Sequence, residues 1–294
     1  MSDKDKEKDE KRDKDRDVLV FTKGHPYQRD PFAAMFDALP GINWTQVENP
    51  AAQVFFDPEL AAAYDAFVFY DIPGLRFGPG GALASPPPLR VQENLTALLE
   101  RGFGMVFLHH AIAGWPAWPE YAEIIGGRFL YHPGELRGTA RQDSGYRHKV
   151  AYYVDVVADH PVTAGMPRRF PVTDELYLYE VFEDSVVPLL RSDYHFEQNN
   201  FYSATLAVRD GKLFANDGWQ HSPGSNLVGW VKHYRNSPIV YLQFGDDPVA
   251  YENEHFRKLL ANAIGWVASA AGKRWARTEN QRKPTTTRQG ASLS

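Results

Sequence analysis

The strongest constraint on the fold is a repeated pairing: an apolar run of strand length followed by a helix-forming segment. Val18 to Thr22, Phe67 to Tyr70, Met105 to Leu108 and "PIVYLQF" are near-continuous apolar runs, the pattern of strands covered on both faces. After the first run, Asp30-Pro31 marks a helix start, Phe32, Met35, Phe36 and Leu39 form one apolar stripe, and Pro40-Gly41 stop it. "NWTQVE" reads as a short second strand, and a Gly- and Pro-rich loop from Ile72 to Pro88 leads to a helix over about Leu89 to Arg101. "WPEYAEIIGG" and "AYENEHFRKLLANAIGWVAS" are further helices. This alternation predicts an α/β domain with a mostly parallel sheet and helices on both faces.

From His148 to about Val240 the pattern changes. "HKVAYYVDVV", "ELYLYEV", "VVPLLRS" and "ATLAVRDGKLFA" read as short strands, the last with a hairpin turn at Asp210-Gly211. A β-rich insertion is therefore expected before the last strand and helix. The expected organisation is a charged tail over 1–17, one domain over 18–270, and a polar, frayed end over 271–294.

Composition removes several function classes. The 294 residues include no cysteine, which excludes disulfides, thiolate metal sites and a cysteine nucleophile. A formal charge of −5 gives no basic excess for nucleic acid. The opening "MSDKDKEKDEKRDKDRD" has no apolar core of a secretory signal, and no run approaches membrane-spanning length, so a cytoplasmic location is expected. Aromatic residues make up 14% of the chain and cluster in loops, which suits a small carbohydrate partner. A homo-oligomer is compatible with this composition.

In an open parallel sheet, ligands bind beyond the carboxyl ends of the strands. Four strong strands here end in Lys23-Gly24-His25, Asp71, His109-His110 and Asp246-Asp247. Together these make a cleft of imidazole and carboxylate, suited to proton transfer or to a divalent cation such as Zn²⁺ or Mn²⁺. Each residue also has a plain structural use. His25 suits an exposed turn, Asp71 a turn cap, one of the two adjacent histidines the core, and Asp246 or Asp247 a helix cap. His160 suits a turn, and His132 and His148 flank a polar segment placed to fold over the cleft. In "TDELYLYE", alternation sets Glu175, Tyr177 and Tyr179 on one face, which either faces the cleft or is solvated. Trp115, after the histidine pair, and His221, beside Trp219, are candidate sugar contacts. There is no HExxH, CxxC, P-loop, G-x-S-x-G or strand-linked GxGxxG.

Four segments, in order, resemble the ThuA-like (trehalose utilisation) family: "GMVFLHHAIAGWPAWPEYAEIIGGRF", "DHPVTAGMP", "TDELYLYE" and "IVYLQFGDDPVAYENEHFRKLLANAIGWVAS". The resemblance spans about Asp17 to Ser269. It implies a flavodoxin-like three-layer sandwich similar to class I glutamine amidotransferases. In those enzymes a cysteine sits on a sharp elbow after a strand, and a "QFHPE"-like segment follows the last strand. Here His109 holds the elbow and "QFGDDP" carries Asp246 where the relatives keep histidine, so glutaminase chemistry by a thiolate is ruled out. His25 and His109 match histidines typical of the family, which is linked to carbohydrate catabolism and keto-sugars.

The sequence thus predicts a sugar-processing protein. His109, His25 and Asp71 are its candidate acid/base groups or metal ligands. His110, Trp115, Glu175, Tyr177, His221 and Asp246 are its candidate substrate contacts. A non-catalytic sugar-binding or regulatory module on the same scaffold is the alternative.

Overall fold

The computed structural model describes residues 15–282; the segments 1–14 and 283–294, which carry most of the expected tails, lie outside the described residues. Nine strands form the main path of the sheet, numbered in chain order. They are β1 Arg16–Lys23, β2 Ile42–Glu48, β3 Ala66–Asp71, β4 Gly104–Leu108, β5 Gly145–Val156, β6 Arg169–Leu178, β7 Val187–Ser192, β8 Leu227–Tyr234 and β9 Ser237–Leu242. Their order across the sheet is β6-β5-β7-β8-β9-β4-β3-β1-β2, and a short strand, Tyr202–Ser203, pairs with β5.

Strands β2, β1, β3, β4 and β9 pair in parallel. This is the doubly wound order of flavodoxin-like sheets, with β9 as the fifth strand. The runs read as continuous apolar strands are buried on both faces for the expected reason. In β1, Val18 and Val20 pack into one core with helices Arg29–Asp37 and Glu254–Ala268. Leu19 and Phe21 pack into the other, with helices Leu89–Arg101 and Pro119–Ile125. The result is a three-layer α/β sandwich.

The insertion joins this sheet. Strands β5 to β8 continue it beyond β9 through antiparallel pairs. β8, an apolar run that sequence reading passed over, makes the link through β9.

Four local expectations are corrected. "ATLAVRD" is a helix, Ala204–Asp210, not a strand: the Ser203 hydroxyl accepts from Leu206 N–H as its N-cap. Gly211 ends it with φ +65°, so the Asp-Gly pair is a helix stop rather than a hairpin turn. The end expected to fray from Gly272 is instead helical over Ala270–Arg282, packed on β8 and β9 with Gly272 and Ala276 buried. At Asp30, the helix has already begun at Arg29, so the aspartate sits in the first turn and Gln28 takes the cap position.

Candidate functional site

β4 ends at Leu108, and the chain turns sharply into the 3₁₀ segment His109–Ala113. His109 has φ +47°, a left-handed conformation that L-residues rarely adopt. Such strain at the end of a parallel strand marks an elbow that presents one side chain at the sheet's edge. The Tyr241 hydroxyl donates to the His109 carbonyl at 2.9 Å and helps hold the turn.

The His109 side chain is wholly buried. Nδ1 lies 2.7 Å from the Gln243 carbonyl, which only accepts, so Nδ1–H is the donor there. Nε2 therefore faces the remaining groups: Glu175 Oε2 at 3.1 Å, the Tyr177 hydroxyl at 2.8 Å and Asp246 Oδ1 at 3.6 Å. Burial alone favours the neutral ring, but the bonds to Asp246 and Glu175 outweigh it and hold the His109 pKa well above the usual histidine range. Asp246 responds in the opposite sense: burial works against its charge, yet His109 and His148 hold its pKa far below the carboxylate range. A second imidazole completes the group, with His148 Nδ1 3.1 Å from Glu175 Oε1 and 3.4 Å from Asp246 Oδ2.

Asp174 sets the position of Asp246. Its carboxylate accepts from Gly245 N–H at 2.7 Å and Asp246 N–H at 3.1 Å, fixing the loop after β9. It also accepts from Glu175 N–H at 2.9 Å. Burial pushes the Asp174 pKa up to about 7, against the pull of His109 and the two loop amides. Gly245, at φ +118°, makes the turn that brings Asp246 inward, while Asp247 caps the helix that follows. The two adjacent aspartates thus divide the two uses expected of them.

Glu175 and Tyr177 also line a cavity of about 260 Å³, together with His25 and His148. Its apolar walls include Phe77, Phe129, Tyr131, Tyr146 and Leu213. His109 stands behind Glu175 and Tyr177, its ring 4.8 Å from that of Tyr177. A larger cavity, of about 620 Å³, contains none of the predicted residues; its Arg137 and Arg235 are ion-paired with Glu123 and Glu120.

The predicted residues separate accordingly. His25 reaches the cavity wall, where its ring stacks on His110 at 4.6 Å. His110 is buried, its Nε2 3.3 Å from the Tyr70 carbonyl and its ring against Tyr70, and burial lowers its pKa well below normal. It is the core histidine of the pair.

Asp71 is not among the groups around His109. It accepts from Asn49, its other oxygen has no partner, and burial raises its pKa to about 8. Trp115 packs beside Gly74, and His221 lies next to Trp219 with Nδ1–H directed at the Ser222 carbonyl; neither lines the cavity. His132 accepts from Ala82 N–H, and His160 caps a 3₁₀ turn against Trp266. Sequence reading missed Asp174 and gave His148 little weight, although alternation within "TDELYLYE" does place Glu175 and Tyr177 correctly.

The predicted metal set of His25, His109 and Asp71 is therefore not assembled. The donors that do converge are His109, Glu175 and Asp246, with atoms within 4.8 Å of one another. Two imidazoles already face these two carboxylates, and when both are protonated the charges balance.

Sheet order defines a flavodoxin-like α/β protein, with an imidazole on the strained elbow after β4. Comparison with known families narrows this. Residues 17–267 match the ThuA family, described as trehalose utilisation, and the chain belongs to it. Among solved structures, a ThuA-like protein from Parabacteroides merdae superposes with a TM-score of 0.61 at 15% identity, covering 87% of this chain and 91% of that one. One from Bacteroides uniformis gives 0.59 at 17% identity, covering 87% and 92%. A cytoplasmic protein from Salmonella typhimurium gives 0.53 at 11% identity, covering 86% and 98%. No curated protein matches the sequence. Among the described residues, no helix is long and apolar enough to cross a membrane.

Proposed function

We propose that this protein is a cytoplasmic enzyme of carbohydrate catabolism that moves protons on a keto-sugar or glycoside. One observation carries the reading: a group of two imidazoles and two carboxylates, with His109 and Glu175 buried, opens onto an aromatic-walled cavity. Removing a proton beside a ketone needs a base already fixed in place, and such a group requires little reorganisation when charge moves. Tyrosine and phenylalanine rings offer the apolar face that a sugar ring stacks on. The volume falls below the roughly 300–1,000 Å³ of sites for drug-sized ligands, which suits a single sugar ring. Family membership supports a carbohydrate substrate, and the lack of basic excess argues against nucleic acid. His109 is a positioning residue in this scheme, because it holds Glu175 and Asp246 and does not line the cavity.

The test uses methyl 3-ketoglucoside in deuterium oxide, following loss of the proton signal beside the ketone. Catalysed exchange by the wild-type protein is expected; no exchange, and no turnover across a panel of keto-sugars and glycosides, would overturn an enzymatic role. Elemental analysis is expected to find no stoichiometric Zn or Mn, and finding one would replace the protons by a cation. The full burial of His109 favours a second reading, a sugar-binding module without catalysis. Calorimetric binding of the same sugar without exchange would support it.

A further inference from the structure

β5 changes faces partway along its length. Tyr146 belongs to the core that contains Tyr177 and Tyr179, while Val150, Tyr152 and Val154 belong to the opposite core with Leu176 and Leu178. All the β5 positions are even-numbered, so plain alternation would put them on one face. A bulge accounts for the switch. Between the pairs Arg147–Leu176 and Val150–Asp174, β5 has His148 and Lys149 where β6 has Glu175 alone. Lys149 takes φ +55°, a left-handed conformation that is costly for a residue with a side chain. Bulges of this kind occur beside active sites, where they re-aim side chains.

The bulge keeps His148 on the cavity face while the rest of the strand serves the core. Its Nδ1 faces Glu175 Oε1 and Asp246 Oδ2, so Nδ1–H points at carboxylates and Nε2 lies on the far side of the ring. The side chain lines the cavity and is 38% exposed. His25 shares the cavity wall, but its Nδ1–H is directed at the Pro26 carbonyl and no carboxylate fixes its ring.

We propose that His148 is the catalytic acid/base, taking the proton beside the substrate's ketone on Nε2 while Glu175 and Asp246 fix Nδ1–H. This deepens the enzymatic reading above and rests on it. Neutral His148 removes the hydrogen as a proton, the C–H electron pair forms the C=C bond while the carbonyl π pair moves to oxygen to give an enolate, and the imidazolium returns a proton to carbon as the carbonyl re-forms. Exchange of Nε2–H with solvent between these steps brings deuterium into the sugar. The Asp246 bond raises the His148 pKa against burial, Glu175 adds to the rise and His109 opposes it. His25, Tyr131, Tyr146 and Tyr177 are the other titratable groups at this wall. Exchange should therefore increase with pH through a limb above the ordinary histidine value, and Asp246→Asn should move that limb to lower pH.

The experiment measures exchange and calorimetric binding of methyl 3-ketoglucoside with wild type, His148→Gln, His148→Gly and His25→Gln. His148→Gln should lower exchange by about 10²–10⁴-fold and leave the sugar's Kd within about threefold. Added imidazole should restore exchange to His148→Gly, which a purely structural loss would not permit. Full exchange in His148→Gln, or loss confined to His25→Gln, overturns the assignment and leaves the enzymatic reading standing. No exchange in wild type removes that reading and this assignment with it.

Discussion

His109 reaches the site from the end of β4, in the parallel half of the sheet. Glu175 and Tyr177 come from within antiparallel β6, and His148 from within β5. The difference is one of construction. A parallel sheet gathers its carboxyl ends at one edge by topology, so a residue there needs only a turn to be presented. A residue inside a strand is committed to a face by alternation, and His148 needs a bulge to differ from the core residues that follow it. On this account the elbow residue is wired into the buried framework, while the insertion supplies the groups that meet substrate. Damage to the first should appear as lost stability, and damage to the second mainly as lost chemistry.

Several substitutions can break or sharpen that contrast. His109→Ala should have the largest effect, because it strands Glu175 and Asp246 without their buried cation. A loss of about 3–5 kcal/mol in urea unfolding is expected, together with loss of exchange; a fully stable variant would contradict the framework role.

Asp71→Asn should act in the opposite direction. The folded pKa of Asp71, about 8, lies above the ordinary 3.8, so its stabilising contribution is complete below pH 3.8 and lost as pH rises toward 8. At about 1.4 kcal/mol per unit, relieving this buried acid should raise stability by several kcal/mol at pH 8 and much less at pH 5. Thermal melts at the two pH values would show it, and exchange should persist because Asp71 does not line the cavity.

Asp174→Asn should cost about 1–3 kcal/mol, since an amide cannot accept from all three backbone N–H groups. Its exchange should fall more than that of Asp71→Asn as Asp246 loses its anchor. The smallest effect should come from Lys149→Gly. Glycine adopts positive φ freely, so the melting temperature should hold or rise by a few degrees with exchange retained. A large loss there would mean that the Lys149 side chain, rather than the bulge, does the work.

Much of this architecture was legible in the chain. Apolar runs buried on both faces can only be strands of a covered sheet, and those runs fixed β1, β3, β4 and β9. Topology then allowed His109 and Asp246 to be placed at one edge before any contact was known. The opposite fates of His109 and His110 were not legible. Identical side chains one residue apart acquire pKa shifts of opposite sign because burial lowers both, and only His109 bonds carboxylates, from β6 and the β9 loop, that outweigh it.

The sequence by itself determined a covered parallel sheet, two adjacent histidines at the end of one of its strands, and the absence of any cysteine chemistry. Each of these follows from residue type and local order alone. Only the tertiary structure decided which carboxylates face His109, that Asp71 stands apart from it, and that His148 meets the cavity. Those outcomes depend on contacts between residues 27 to 137 positions apart and on one extra residue in β5, neither of which any periodicity in the chain records.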